Sequence, residues 1–368
     1  MNSDTIWAGL DLGLRETHVC LTDETGATIH EETCETSAPA IAAAVSLVGK
    51  ERIGLIAAEA GSETYVIRKL KEDGLPMAIF EARKASKFLA LRRNKTDASD
   101  ARGLADLARL GRQTVSRVHL KSLQCERLRT QLVMRHKLVR IRVSTENAIR
   151  GRLAFYGLSL KRQSSADLLR ERVTSELARL RTSEDIDLED DLTPLLDVCE
   201  ILRKYVRALD RRLEKAAKSH PVCRRLMDVP GVGPICSLSF YSAIEDPDRF
   251  KRASDVAAYL GLVPRRYQSG GVSYTRGITK TGSTMTRAHL VNSATVFSSR
   301  GPKSALKEWS ATLRERIGPR RAKVAVARNL AIVLLAMWKT GGEFEPYPAV
   351  RKPGDLRPLS PPLGREVP

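Results

Sequence analysis

The sequence predicts an α/β domain followed by a mostly helical remainder. Three observations carry that expectation. Short apolar runs separated by turn residues fill the first eighty positions. After Glu81 those runs give way to helical stripes in a strongly basic stretch. From about residue 221 onward, helical segments alternate with Gly- and Pro-containing turns. The expected divisions are 1–115, 116–220, 221–342 and a tail over 343–368, and 368 residues suffice for two sizeable cores.

Each early element has a local reason. Ile6 to Asp11 and Thr17 to Thr22 are short apolar runs, and Gly13 lies in their connection, as in a hairpin. Ala27 to Thr33 supplies a third strand. Ala38 to Val48 is alanine-rich and helical in character. Ile53 to Ala58 is a continuous apolar run suited to a buried strand. Thr64 to Lys71 reads as a helix and Pro76 to Phe80 as a strand. Three strands, a helix, then alternating strands and helices is the order of the RNase H-like fold.

Charge narrows the partner class. Lys+Arg number 62 against 43 Asp+Glu, a formal net of +19. Such an excess favours a polyanion. Residues 83–162 hold 21 Lys+Arg and 5 Asp+Glu, so most of the excess lies in one stretch. Within it, Leu120, Leu123, Leu128, Leu132, Val139, Val143 and Ile149 approximate a helical stripe. The other face carries Arg127, Arg135, Lys137, Arg140, Arg142 and Arg150. A charge run of this kind is either a solvated face or a phosphate-facing one, and Arg135, Lys137, Arg140 and Arg142 are the candidate nucleic-acid contacts. Aromatic residues are only 5% of the chain, which favours backbone contacts over base stacking.

No apolar run reaches the roughly 20 residues of a spanning helix, and Met1 to Ile6 lacks the pattern of a signal peptide. A cytoplasmic, nucleoid-associated protein without membrane contact is therefore expected. The six cysteines are scattered, with neither zinc-ligand spacing nor a disulfide framework, so reduced thiols are expected.

A second helix is expected with Thr193 as N-cap and Pro194 at its first position. Leu195, Cys199, Leu202, Val206, Leu209, Leu213 and Ala216 form a heptad seam ended by Pro221. That seam suits packing within the chain or dimerisation equally. Further helices are expected near 235–244, 254–260, 284–298, 303–316 and 322–339, with a Gly-rich polar loop over 269–282. From Pro346 onward, 7 of 23 residues are proline, which reads as a tail without a fold of its own.

Three constellations have the makings of chemistry. Asp11 and Glu59 end apolar strands, and Asp97 and Asp100 share one face if a helix begins near Asp97. A carboxylate at the end of a buried strand needs compensation, and a divalent cation such as Mg²⁺ can provide it. The plainer alternative makes Asp97 a helix cap and Asp11 a turn partner. Next, Ser269 lies between Gln268 and Gly270-Gly271, with Arg276, Lys280 and Arg287 following. That is a nucleophile beside phosphate-binding cations, or simply a flexible loop. Lastly, Pro230-Gly231-Val232-Gly233-Pro234 suits the hairpin of a helix–hairpin–helix element, in which Gly231 and Gly233 expose backbone N–H groups to phosphate, or a plain turn.

Four segments together carry a family resemblance. They are Gly9-Leu10-Asp11, Glu59-Ala60-Gly61, the run from Lys95 to Ala101, and a C-terminal block. That block comprises 229–234, 259–264, Gln268-Ser269-Gly270 and Ile278 to Gly282 through Arg287. Over about residues 5 to 342 the chain resembles the insertion-sequence transposases with a DEDD-type RuvC-like domain, which include the Piv site-specific invertases and the bridge-RNA-guided recombinases. Gly61-Ser62 stands where that family commonly has Thr-Gly. The resemblance implies Mg²⁺ held by Asp11, Glu59, Asp97 and Asp100, and a nucleophilic serine at Ser269. It further implies donor and target DNA, a structured guide RNA, and a homodimer or tetramer. A Holliday-junction-type metal nuclease and a non-catalytic nucleic-acid-binding protein are the rival expectations.

Overall fold

Five strands in the order β3-β2-β1-β4-β5 build the sheet of the first unit. We describe a computed structural model covering residues 5–61, 64–90, 96–111, 115, 117–160, 168–269 and 272–347, without the side chains of Arg266, Ser269, Val272, Ser273, Thr275 and Arg276. The strands are β1 (Ile6–Leu12), β2 (Glu16–Thr22), β3 (Thr28–Glu35), β4 (Ile53–Glu59) and β5 (Met77–Phe80). β1, β2 and β3 form an antiparallel meander, whereas β4 runs parallel to β1 and β5 parallel to β4. This order and these directions agree with the RNase H-like arrangement expected from the sequence. The chain divides into two compact units, residues 1–122 and 123–368.

Strand periodicity sorts the first unit into layers. Ile6, Ala8 and Leu10 of β1, with Ile56 and Ala58 of β4, face a core closed by Ile41 and Val45 of α1 (Ala38–Ser46) and by Ile67 and Leu70 of α2 (Thr64–Glu72). Trp7, Leu55 and Ala57 point the other way, with Phe80, toward Ala85 of α3 (Ala82–Leu89) and Leu104, Leu107 and Ala108 of α4 (Asp97–Leu110). Gly9 lets α4 approach β1 closely. A Cβ there would collide with the carbonyl of Ala101 and the amide of Ala105. Arg102 pairs with Glu31 of β3, and Arg109 donates to Asp106 and to the carbonyl of Glu24, which fixes the helix along its length.

The second unit is mainly helical. Its long pair is α5 (Leu123–Phe155) and α7 (Glu189–Ser219), with α6 (Leu169–Glu184) between them in sequence. The buried positions of α5 are Cys125, Leu132, Glu146, Ile149 and Leu153, so the stripe differs from the expected one. Leu123 and Val143 are exposed, and Leu120 precedes the helix. Residues at spacings of three, four and seven still dominate, but Glu146 takes a core position because Arg203 of α7 reaches it at 3.1 Å.

α7 begins at Glu189, not at Thr193. Three acids in its first turn suit the helix dipole, Asp187 accepts from the Glu189 amide, and Pro194 lies inside the helix. The buried face of α7 runs Leu192, Leu196, Cys199, Leu202, Arg203, Val206, Leu213 and Ala217. Leu213 and Ala217 pack with Leu132 of α5, and Leu192, Leu196 and Cys199 with Ile149 and Leu153, so the seam is used within the chain.

The rest comprises α8 (Pro221–Leu226), α9 (Pro234–Ile244), α10 (Asp255–Tyr259), the hairpin β6 (Pro264–Ser269) and β7 (Val272–Ile278), then α11 (Thr284–Arg300), α12 (Ala305–Ile317) and α13 (Pro319–Thr340). Phe240, Leu260, Leu290, Phe297, Leu330 and Leu334 centre its core. The expected loop over 269–282 is thus mostly a strand. Arg-Tyr alternation in β6 and β7 either side of Gly270-Gly271 is a hairpin pattern, and Tyr267 stacks on Tyr274 at 5.2 Å. The six cysteines are free. Among the described residues no helix is long and apolar enough to cross a membrane. The proline-rich tail lies outside the described residues from 348 onward.

Candidate active site

The sheet register brings the first two acids together. Leu10 of β1 stands beside Ala58 of β4, so Asp11 and Glu59 are the next neighbours along parallel strands. Asp11 follows Gly9 by two residues and Glu59 follows Ala57 by two, which puts both on the α4 face. α4 crosses β1 at Ala101 and Ala105, so its first turn lies toward the end of the strand that carries Asp11.

Thr96, rather than Asp97, caps α4, its hydroxyl accepting from the Ser99 amide at 3.1 Å. Asp97 and Asp100 are thereby left in the first turn. Asp97 is 75% exposed and lies 3.6 Å from the Nε2 of His18. His18 is the antiparallel partner of Asp11. Sequence reasoning missed His18, although the expected β1–β2 hairpin already placed it near Asp11. The backbone therefore directs Asp11, Glu59, Asp97 and Asp100 to one end of one face. Their side chains do not close on a common point: among the described residues no three His, Cys, Asp or Glu groups are grouped to hold a metal ion.

In the second unit Ser269 ends β6, opposite Val272. Its side chain and that of Arg276 lie outside the described residues, as do Gly270 and Gly271. The base of the hairpin is held by backbone hydrogen bonds. The amide of Thr279 donates to Val263 at 2.9 Å and that of Lys280 to Gly261 at 3.1 Å. Lys280 is exposed and sits at φ 58°, a left-handed conformation that costs a lysine about 1 kcal/mol or more.

Arg287 corrects the sequence reading. It is 8% exposed, and its guanidinium donates to the carbonyls of Leu260 at 3.2 Å, of Gly282 at 3.3 Å and of Thr281, and to the Thr284 hydroxyl at 3.0 Å. It clamps the hairpin base instead of facing a phosphate. Burial pushes its pKa down.

Two further candidates have acids beside them within the fold. Arg135 is held by Asp210 of α7 at 2.8 Å, and Arg142 lies 3.8 Å from Glu146. An acid 75 residues downstream was invisible to a reading of local charge. Lys137 and Arg140 remain exposed. The 230–234 turn does join two helices, α8 and α9. Gly231, at φ +85°, packs on α11, where a Cβ would meet the Ser293 carbonyl at 2.7 Å. Only Gly233, the exposed N-cap of α9, has open space beside it.

Fold and charge together define a two-unit, strongly basic protein: a mixed α/β sheet with RNase H-like strand order, then a mostly helical unit. Comparison with known proteins makes the assignment narrower. Residues 8–157 match a DEDD transposase family and residues 223–308 match the family described as "Transposase IS116/IS110/IS902 family". The transposase for insertion sequence element IS1111A of Coxiella burnetii is 28% identical over 338 residues, covering 89% of this chain and 88% of that one. A protein of Pseudomonas aeruginosa described as a probable family 20 transposase is 28% identical, covering 77% and 83%. The transposase for element IS1328 of Yersinia enterocolitica is 27% identical, covering 57% and 62%. The chain belongs to the IS110/IS116 family of insertion-sequence transposases. Membership implies DNA as substrate, with cleavage and transfer as the activity.

Proposed function

We propose that this transposase cuts and rejoins DNA with the four carboxylates and Ser269 as its catalytic groups. The observation that carries the reading is the register that sets Asp11 beside Glu59 on the face covered by α4, whose first turn bears Asp97 and Asp100. All four are hard oxygen donors, a set that fits Mg²⁺ and leaves it room to keep waters. Bound there, Mg²⁺ would neutralise charge developing on a scissile phosphate. Asp11 and Glu59, on interior strands, would form the fixed part of its cradle. Asp97 and Asp100, at a helix start, would complete it once turned from partners such as His18.

Ser269 would supply the nucleophile. Its Oγ–P bond forms as the bond from phosphorus to a deoxyribose oxygen breaks. The hydroxyl proton is released, and the departing oxygen takes one up. Phosphoester bonds are conserved in number, so attack by another strand's hydroxyl on the phosphoserine rejoins DNA without an external energy source. Lys280, Arg276 and the exposed Lys137 and Arg140 are the proposed phosphate contacts, together with Gly233. The family resemblance supports a structured guide RNA, a dimer or tetramer, and action in the cytoplasm on nucleoid DNA.

The test is Ser269→Ala in the full-length protein with element-end DNA and Mg²⁺. The covalent protein–DNA adduct and recombination should vanish while DNA binding persists. Recombination at the wild-type rate would refute the serine mechanism and leave a Holliday-junction-type metal nuclease as the better account. Mixing Ser269→Ala with Asp11→Asn chains should restore part of the activity if the two sets act across a dimer.

A further inference from the structure

One carboxylate outnumbered by cations lies between α5 and α7. Glu146 is buried, and three arginines surround it. The Nη2 of Arg203 is 3.1 Å away, Arg150 is at 3.7 Å and Arg142 at 3.8 Å. One carboxylate thus faces three guanidinium groups. The Nε atoms of Arg142, Arg150 and Arg203 are buried and have no hydrogen-bond partner. Arg203 is buried while Arg142 and Arg150 are half-buried; a buried guanidinium left short of acceptors is costly, and a second anion would relieve that cost.

Arg203, only 7% exposed, leads from this cluster to the surface. It lines a groove of about 410 Å³ together with Glu200, Lys204, Arg207 and Arg211. The acid of that group, Glu200, is already engaged by Arg170 of α6. Four cations and one acid therefore line the groove, and that acid pairs with a residue outside it. From Arg203 to Arg211 the α-helix advances ~12 Å, which matches about three consecutive phosphates along one strand of a duplex. No aromatic residue lines the groove, so nothing there stacks on a base.

We propose that this face of α7 is a second DNA-binding surface, which grips the phosphate backbone of one strand of duplex DNA without reading its sequence. Arg203 is the buried anchor, while Lys204, Arg207 and Arg211 are the outer contacts. Duplex DNA is favoured because it is the family's substrate and because the groove is open, long and free of stacking groups. The proposal rests on DNA as substrate, but on neither the carboxylates nor Ser269.

The experiment uses full-length protein, a 40-bp duplex of arbitrary sequence and a 40-nucleotide RNA stem-loop, with binding measured from 50 to 300 mM salt. The triple variant Lys204→Gln, Arg207→Gln, Arg211→Gln should lower the DNA salt slope by about 2.7, at ~0.9 per phosphate contact. The charge-preserving variant Lys204→Arg, Arg207→Lys, Arg211→Lys should restore it. An unchanged DNA slope overturns the proposal, and so does a change confined to RNA. Should the triple variant not fold, phenylglyoxal footprinting of the wild-type protein decides instead. Protection of Arg207 and Arg211 by the duplex supports the surface, and equal modification with and without DNA overturns it. Ser269→Ala, run alongside, keeps the full slope if the two readings are independent.

Discussion

In the first unit the candidate carboxylates Asp11 and Glu59 end strands that have a neighbour on each side and helices on both faces. In the second, Ser269 ends one strand of a two-stranded hairpin, a form that is marginal without outside support. Support comes at its base, through Arg287 and the Gly261 carbonyl, while the Tyr267–Tyr274 stack ties its two strands together. The contrast shows two ways to aim a reactive group. One relies on sheet register and close packing, and it cannot yield without disturbing the core. The other relies on a few polar contacts at the base of a hairpin.

Breaking the catalytic side of the comparison should give the largest effect. Asp11→Asn removes a charge while preserving shape, so strand cleavage should fall roughly a thousandfold, with an unchanged thermal melt. Wild-type cleavage by this variant would remove Asp11 from the site.

Burial of His289 on α11 offers a handle on the second unit. Its surroundings, helped by Arg135 and His136, push its pKa down to about 4 from 6.5. His289 is therefore neutral in the fold, while the unfolded chain binds a proton below pH 6.5. Stability should be fully present above that value and decline as pH falls from 6.5 to about 4. At most ~3 kcal/mol is lost over that window. Denaturant melts across it should show the decline, and His289→Leu should flatten it. Identical pH profiles for the two proteins would rule the residue out as its cause.

Close packing at Gly9 sets the cost on the other side. Gly9→Ala should push α4 from β1 and lower stability by ~1–3 kcal/mol, seen as a fall in Tm. Cleavage should drop with it, because α4 positions Asp97 and Asp100. A variant as stable and as active as wild type would show that α4 is not held there.

Arg287→Met sharpens the polar half. It leaves buried carbonyls short of donors and should lower stability by about 2 kcal/mol, while the salt slope of DNA binding stays the same. A slope lowered by about one would return Arg287 to the phosphate contacts.

Much of the first unit was legible beforehand because its signals are local. Apolar runs of strand length, bounded by Gly13 and the alanine-rich helix, placed each strand to within two residues. Lys95-Thr96-Asp97 and the i, i+3 aspartates marked a helix start, although Thr96 proved to be the cap. The hairpin around Ser269 is equally local but was expected as a loop, since Gly270-Gly271 suits a flexible loop as well as a hairpin turn.

By itself, the sequence determined the strand order of the first unit, the positive charge, the acids at strand ends and the membership of a transposase family. Tertiary structure decided which charges are spent on the fold. Asp210 engages Arg135, and backbone carbonyls engage Arg287. Those partners lie 75 and up to 27 residues away, and ionic and hydrogen-bonding contacts act over a few ångströms of space whatever the separation along the chain. A count of cations therefore announces a polyanionic partner, and only the packed helices show which cations are left to meet it.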